Sequence, residues 1–294
     1  MDNQNPLNQA KASNPLAQFY RRPGTYITLP SGGRFYRKSP KVSETGELAV
    51  YPMTAKDELI LKNPDALYNG EAVKQVISSV CPDIENVNDI PAADIDAILV
   101  AMRMTSYGDD MPLEVRHGCE ASEGKVQTLQ VSLGSIIGTI RPIPTDLGVV
   151  TLSTGLTVYL RPYNLADQSL LLRTQFNSMR NLQALENNDK ATTEQKTEAA
   201  TASYNLLIDL SQQLLTGCVV KVVTPEKDEV TDRKFIVDWM KNLDRASVER
   251  LDQEVKKFQE YGIVREIDCK CDYCGETFKT DMLFDPTGFF TDGS

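Results

Sequence analysis

The spacing of apolar residues changes several times along this chain, and each change predicts a different kind of element. In "GEAVKQVISSVCPDI", Val73, Val76, Ile77 and Val80 recur at intervals of three and four, so they share one helix face, and Pro82 stops the run. "AADIDAILVAMRMTSYG" repeats the pattern with Ile95, Ile98, Leu99 and Met102, with Gly108 after the end. Upstream, Thr54 followed three residues on by Asp57 reads as a capping pair for a helix in "VYPMTAKDELILKN". Residues 53–108 therefore predict a compact helical unit, and their periodic Met and Val positions are core.

From Met111 the pattern becomes β-branched and alternating. "PLEV", "KVQTLQVSLGSI" and "VVTLSTGLTVYL" predict antiparallel strands, the last with a hairpin turn at Thr154-Gly155. Residues 165–215 return to helical composition around a polar Asn-Asn-Asp break. They predict two helices, about 165–185 and 193–215, forming a hairpin with one solvated side. "CVVKVVTP" is a strand. Asp232 caps a short helix carrying Trp239, and Val248, Leu251, Val255 and Phe258 form the stripe of a final helix that stops at Gly262. "TYITLPSGGRFY" reads as an extended stretch and a turn in which Gly32 and Gly33 permit positive φ. The fold class that follows is α+β. It comprises a mobile arm (1–24), an N-terminal helical unit (25–112), a small antiparallel zinc-ribbon-like unit in two pieces (113–164 and 262–294), and a mainly helical insertion between them (165–261).

Composition narrows the function classes. With 41 acidic and 31 basic residues the chain carries a net charge of −10 over 294 residues. It should not coat nucleic acid or anionic membrane indiscriminately. Arg21, Arg22, Arg34, Arg37, Lys38 and Lys41 form a local exception, either as solvated loop charge or as a docking arm for an acidic partner. No apolar run approaches the length of a membrane-spanning helix, and the N-terminus lacks an apolar signal core. A cytosolic chain is expected, and its six cysteines then read as thiols or metal ligands.

Three of those cysteines fall within six residues. Cys271-x-x-Cys274-Gly has the shape of a zinc knuckle, in which two thiolates flank a tight turn between the strands "VREID" and "TFKTDMLF". A structural zinc needs four ligands. His117 and Cys119, also placed between two predicted strands, are the best candidates for the other two, with Cys269 as a substitute. The alternative is a metal-free hairpin with ordinary thiols. Cys81 and Cys218 lie in apolar contexts and read as small buried side chains. His117 is the one histidine. The sequence has no nucleophile elbow, phosphate loop or His-Glu-x-x-His motif to support an enzyme.

Several stretches, in order, resemble a known family. "LPSGGRFY", "VYPMTAKDELIL", "VISSVCPDI", "DIDAILVAMRMTSYGDDM" and the terminal "CDYCGETF…FDPTGFF" are similar to the baseplate hub assembly proteins of T4-like contractile-tailed bacteriophages. The resemblance implies a non-enzymatic assembly factor or minor structural subunit. Its partners would be other baseplate and tail hub proteins, met in the host cytoplasm during assembly or in the virion tail. It also implies a Cys-x-x-Cys pair after "SYGDDMPLEV", where this chain has His117-Gly118-Cys119. Arg34 and Phe35, with the aromatic tail Phe284, Phe289 and Phe290, are the expected partner contacts, with no nucleic acid, membrane or small-molecule substrate. The competing reading is a zinc-ribbon nucleic-acid-binding protein, which the acidic charge opposes.

Overall fold

The computed structural model describes residues 14–63, 70–188 and 192–282. Two apolar cores organise the chain. The first lies beneath a two-stranded antiparallel pair, β1 (Thr25–Thr28) with β2 (Glu47–Val50), and is filled by helices α1 (Ala55–Leu61), α2 (Glu71–Val80) and α3 (Ala92–Tyr107). The capping pair at the start of α1 is formed: the Thr54 hydroxyl accepts from the Asp57 N–H, and the Asp57 carboxylate accepts from the Thr54 N–H. Helix α3 is buried on nearly all sides from Ala93 to Arg103, and Gly108, at φ +101°, ends it.

Two more strands follow, β3 (Asp110–Arg116) and β4 (Val126–Ser132), paired antiparallel. The expected strand "KVQTLQVSLGSI" does not run on through residues 133–136; a short helix, α4 (Leu133–Ile137), stands there instead. The Ser132 hydroxyl caps it by accepting from the Ser135 N–H, while Asp109 accepts from the Gly134 N–H and the Ser132 hydroxyl. Local capping here overrides a β-branched composition.

The second core sits against a four-stranded antiparallel sheet ordered β5 (Val149–Thr151), β6 (Thr157–Leu160), β7 (Val219–Val223) and β8 (Glu229–Val230). Val158 and Leu160 alternate inward from β6, as the period of two requires. Between β6 and β7 the chain runs out and back through α5 (Leu165–Glu186) and α6 (Thr193–Cys218). Two further helices, α7 (Arg233–Lys241) and α8 (Arg245–Lys257), cover the inner face of the sheet with Ile236, Leu251 and Val255. Gly148 has φ +87°, and a Cβ there would come within 2.7 Å of both the Leu160 carbonyl oxygen and the Phe258 ring, so the site requires glycine.

The segment "LPSGGRFY" joins the two cores. Leu29 and Tyr36 pack into the first and Phe35 into the second, where its ring meets Phe258 edge-on at 5.6 Å. The carboxylate of Asp94, fully buried on α3, holds the segment down: it accepts from the Ser31 N–H (2.8 Å), the Ser31 hydroxyl (2.5 Å) and the Tyr36 hydroxyl (2.8 Å). The described residues end with an antiparallel pair, β9 (Glu266–Lys270) and β10 (Thr277–Asp281), and Met282 is buried in the first core.

Candidate metal centre

The hairpins β3–β4 and β9–β10 each end in a tight connection, and the two connections meet. His117 and Cys119 follow β3, and Cys271 and Cys274 follow β9. One ligand atom from each of the four lies within 4.8 Å of every other. The Cys119 and Cys271 sulfurs are 3.8 Å apart, and the His117 Nδ1 is 3.4 Å from the Cys274 sulfur. A tetrahedron with zinc–sulfur bonds of about 2.3 Å and zinc–nitrogen bonds of about 2.0–2.1 Å has sulfur–sulfur edges of about 3.8 Å and nitrogen–sulfur edges of about 3.6 Å. The donor set and its spacing therefore fit a four-coordinate ion of that size, with three thiolates and one imidazole supplied by the protein.

Local backbone geometry makes the knuckle. Gly275, at φ +77°, turns the chain so that its N–H donates to the Cys271 carbonyl (2.9 Å), and the Cys271 N–H donates to the Glu276 carbonyl (2.9 Å). On the other side Ser122, fully buried, donates its hydroxyl to the carbonyls of His117 (2.6 Å) and Cys119 (2.8 Å). Gln127 on β4 ties the halves together. Its side-chain amide donates to the Lys270 carbonyl (2.8 Å) and its side-chain oxygen accepts from the Asp272 N–H (3.0 Å). The Phe278 ring stacks on His117 at 4.5 Å between centroids and fixes the imidazole plane.

The electrostatics of the cluster favour a cation. The Ser122 hydroxyl, followed by its other hydrogen-bonding neighbours, pulls the Cys119 thiol down to about 6. At Cys274 the Glu276 N–H favours the thiolate, but burial and the neighbouring thiols outweigh it and push the group up to about 11. Hydrogen bonding to Cys271 raises the His117 imidazole. The first thiolate to form thus resists a second beside it, and a bound divalent ion removes that repulsion.

Cys269, the possible substitute, is not in the group. Its sulfur points to the Ile267 carbonyl at 3.8 Å. Cys271 has already left the strand for the knuckle, so the two-residue alternation that would align the pair does not reach it. Cys81 and Cys218 are fully buried in the two cores, and burial pushes each thiol up to about 12. Arg34 and Phe35 face inward contacts: Arg34 donates to the carbonyls of Ile143 and Pro144. Arg21 likewise donates to the carbonyls of Pro52 and Ser79, and Arg37 pairs with Asp89. Much of the basic patch therefore holds loops to the body. Phe284, Phe289 and Phe290 lie outside the described residues. Sequence reasoning missed Ser122, Gln127 and Phe278. Ser122 alone had a signal, since it follows Cys119 by three positions just as Cys274 follows Cys271.

A family model described as T4 bacteriophage base plate protein matches residues 25–291, which takes in both hairpins of the cluster and the chain between them. The chain belongs to this family. No curated protein and no solved structure matches it. Membership implies contact with other tail and baseplate proteins. Among the described residues of this base plate protein, no helix is long and apolar enough to cross a membrane.

Proposed function

We propose that this base plate protein is a non-enzymatic assembly factor or minor subunit of the baseplate hub, acting by protein contacts in the host cytoplasm and, as a subunit, in the tail. Family membership over residues 25–291 carries the reading. The metal cluster supports it, because four protein ligands close the coordination sphere. A closed sphere is the mark of a structural ion, whereas catalytic zinc keeps one position for water. Zinc is the proposed ion, and its role is to lock the two ribbon hairpins together. The proposed contact surface comprises the aromatic residues Phe284, Phe289 and Phe290, since Arg34 and Phe35 are taken up by inward contacts.

The test is co-purification of tagged full-length protein with tail hub proteins from infected cells, beside a variant lacking residues 284–294. Loss of the partners with retained folding supports the C-terminal contact; wild-type recovery moves it elsewhere on the surface. Mass spectrometry of purified tails against infected-cell lysate separates subunit from factor. Absence of any tail protein from every pull-down overturns the reading.

A further inference from the structure

The hairpin of α5 and α6 carries more apolar surface than its own pairing uses. The two helices pack through Leu171, Ser178 and Leu182 on one side and Leu207, Leu210 and Leu214 on the other, all at least half-buried. Each helix also bears a second seam about a third of a turn round. On α5 it runs Leu172, Phe176, Met179 and Gln183, at intervals of four, three and four. On α6 it runs Thr197, Thr201, Tyr204, Ile208 and Ser211, at intervals of four, three, four and three. These are the alternating intervals of helices that pack along their length. Because the helices are antiparallel and the offset has the same sense on each, both second seams open on the same face of the hairpin.

That face is exposed and built to lose water. Leu172, Met179, Tyr204 and Ile208 are 49%, 60%, 66% and 42% exposed. The hydroxyls of Thr197, Thr201 and Ser211 each donate to the carbonyl four residues back (3.0, 2.9 and 2.8 Å). They can be covered without leaving an unpaired donor. Neither of these stretches of seam contains a charged residue, in a chain of net charge −10.

We propose that this face pairs with the same face of a second copy of the chain to form a four-helix bundle. Two parallel-running seams accept two helices, and this hairpin supplies two helices with matching seams. The exposed stretches, residues 172–183 and 197–211, run roughly 17 and 21 Å, so a face two helices wide presents roughly 400 Å² in projection. A standard interface takes about 800 Å² of accessible surface per partner, and a face of this smaller projection fits a reversible dimer that forms as concentration rises.

Charge fixes the orientation. Arg173 and Arg180 edge the seam of α5, while Glu198 and Asp209 lie on the outer side of α6. Stacking α5 on the partner's α5 would bring four arginines together. A two-fold axis along the helices instead stacks α5 on the partner's α6. Within the hairpin, Lys196 donates to the Glu186 carbonyl (3.1 Å), and the small cleft between the helices is lined by Ser178 and Leu185 on α5 and by Ala199 and Leu206 on α6. Carried across the axis, that register sets Arg173 level with the partner's Asp209 to within about one turn.

The experiment is sedimentation velocity on the full chain from about 1 to 100 μM. A dimer is expected, converted to monomer by Met179→Glu with Tyr204→Glu while circular dichroism stays unchanged, since both positions are exposed. Arg173→Asp and Asp209→Arg should each weaken the dimer at least tenfold, and the two together should restore it. A monomer throughout, or a dimer indifferent to Met179→Glu with Tyr204→Glu, overturns the proposal. Failure of the charge exchange to restore the dimer overturns the α5-on-α6 orientation.

Discussion

The Cys119 and Cys271 sulfurs lie 3.8 Å apart although 152 positions separate them in the chain. Nothing local places them together. β3–β4 and β9–β10 do so by packing against the same core, which Leu113, Val131 and Ile267 border. Protein expressed with zinc should therefore carry one equivalent. Cys119→Ser or Cys271→Ser should lose it and lower the thermal midpoint by about 10 °C, the scale of a few kcal/mol of lost ligand linkage. His117→Cys should keep the metal, because a fourth thiolate preserves the tetrahedron. Metal analysis beside thermal unfolding checks all three, and wild-type protein that never retains metal would sink the assignment.

Gln127 should matter more than its position on a strand suggests. Truncation to Ala leaves the Lys270 carbonyl and the Asp272 N–H without their side-chain partner. A cost of roughly 2 kcal/mol is expected, with faster loss of metal to a chelator. Urea denaturation and chelator competition measure the two effects, and a variant matching wild type in both would show the bridge to be dispensable.

The buried Asp94 predicts a pH dependence. Burial raises its carboxyl to about 6, against the partial relief given by Ser31 and Tyr36. Between about pH 4 and pH 6 the folded chain therefore holds a proton that the unfolded chain has released, and this group's contribution to stability falls as pH rises. A shift of about two units corresponds to roughly 3 kcal/mol across that window. Asp94→Asn removes the titration, so the difference in unfolding free energy between wild type and variant should change by that order from pH 4 to pH 6.5. A constant difference would refute it. Acid loss of metal affects both proteins alike and cancels.

The outer half of the α5–α6 hairpin should be removable. Between residues 175 and 204 Ser178 alone is buried among the described residues, whereas Leu165 joins the first core and Leu215 the second at the hairpin base. Replacing residues 175–204 with a short Gly-Ser bridge should leave one cooperative unfolding transition; a broadened or missing transition would show that the hairpin supports the cores.

Much of this architecture was legible because its signals are local. The Thr54–Asp57 cap, the stop at Gly108, the turn at Gly155 and the stripe Leu251, Val255 and Phe258 each depend on residues within a few positions of one another. The failures lie where partners are distant. Arg34 looks like a solvated cation until Ile143, 109 positions on, is seen to accept from it. Gln127 reads as a polar residue on an exposed strand face, since its partners are more than 140 positions away. The strand expected over 133–136 fails for a local reason, because the capping hydroxyl of Ser132 outweighs the β-branched composition.

With an ion in place, the two ligand pairs turn residues 119–271 into a closed loop. For a cross-link spanning 152 positions, the lost freedom of the unfolded chain corresponds to about 5 kcal/mol, near the top of what one tie can supply. The loop also sets a path for force. Tension between the N-terminal helical unit and the segment after β10 passes through the metal–ligand bonds and bypasses the enclosed sheet and hairpin. The enclosed stretch is then shielded from load along the chain, and a pull strong enough to reach it must first break the knuckle.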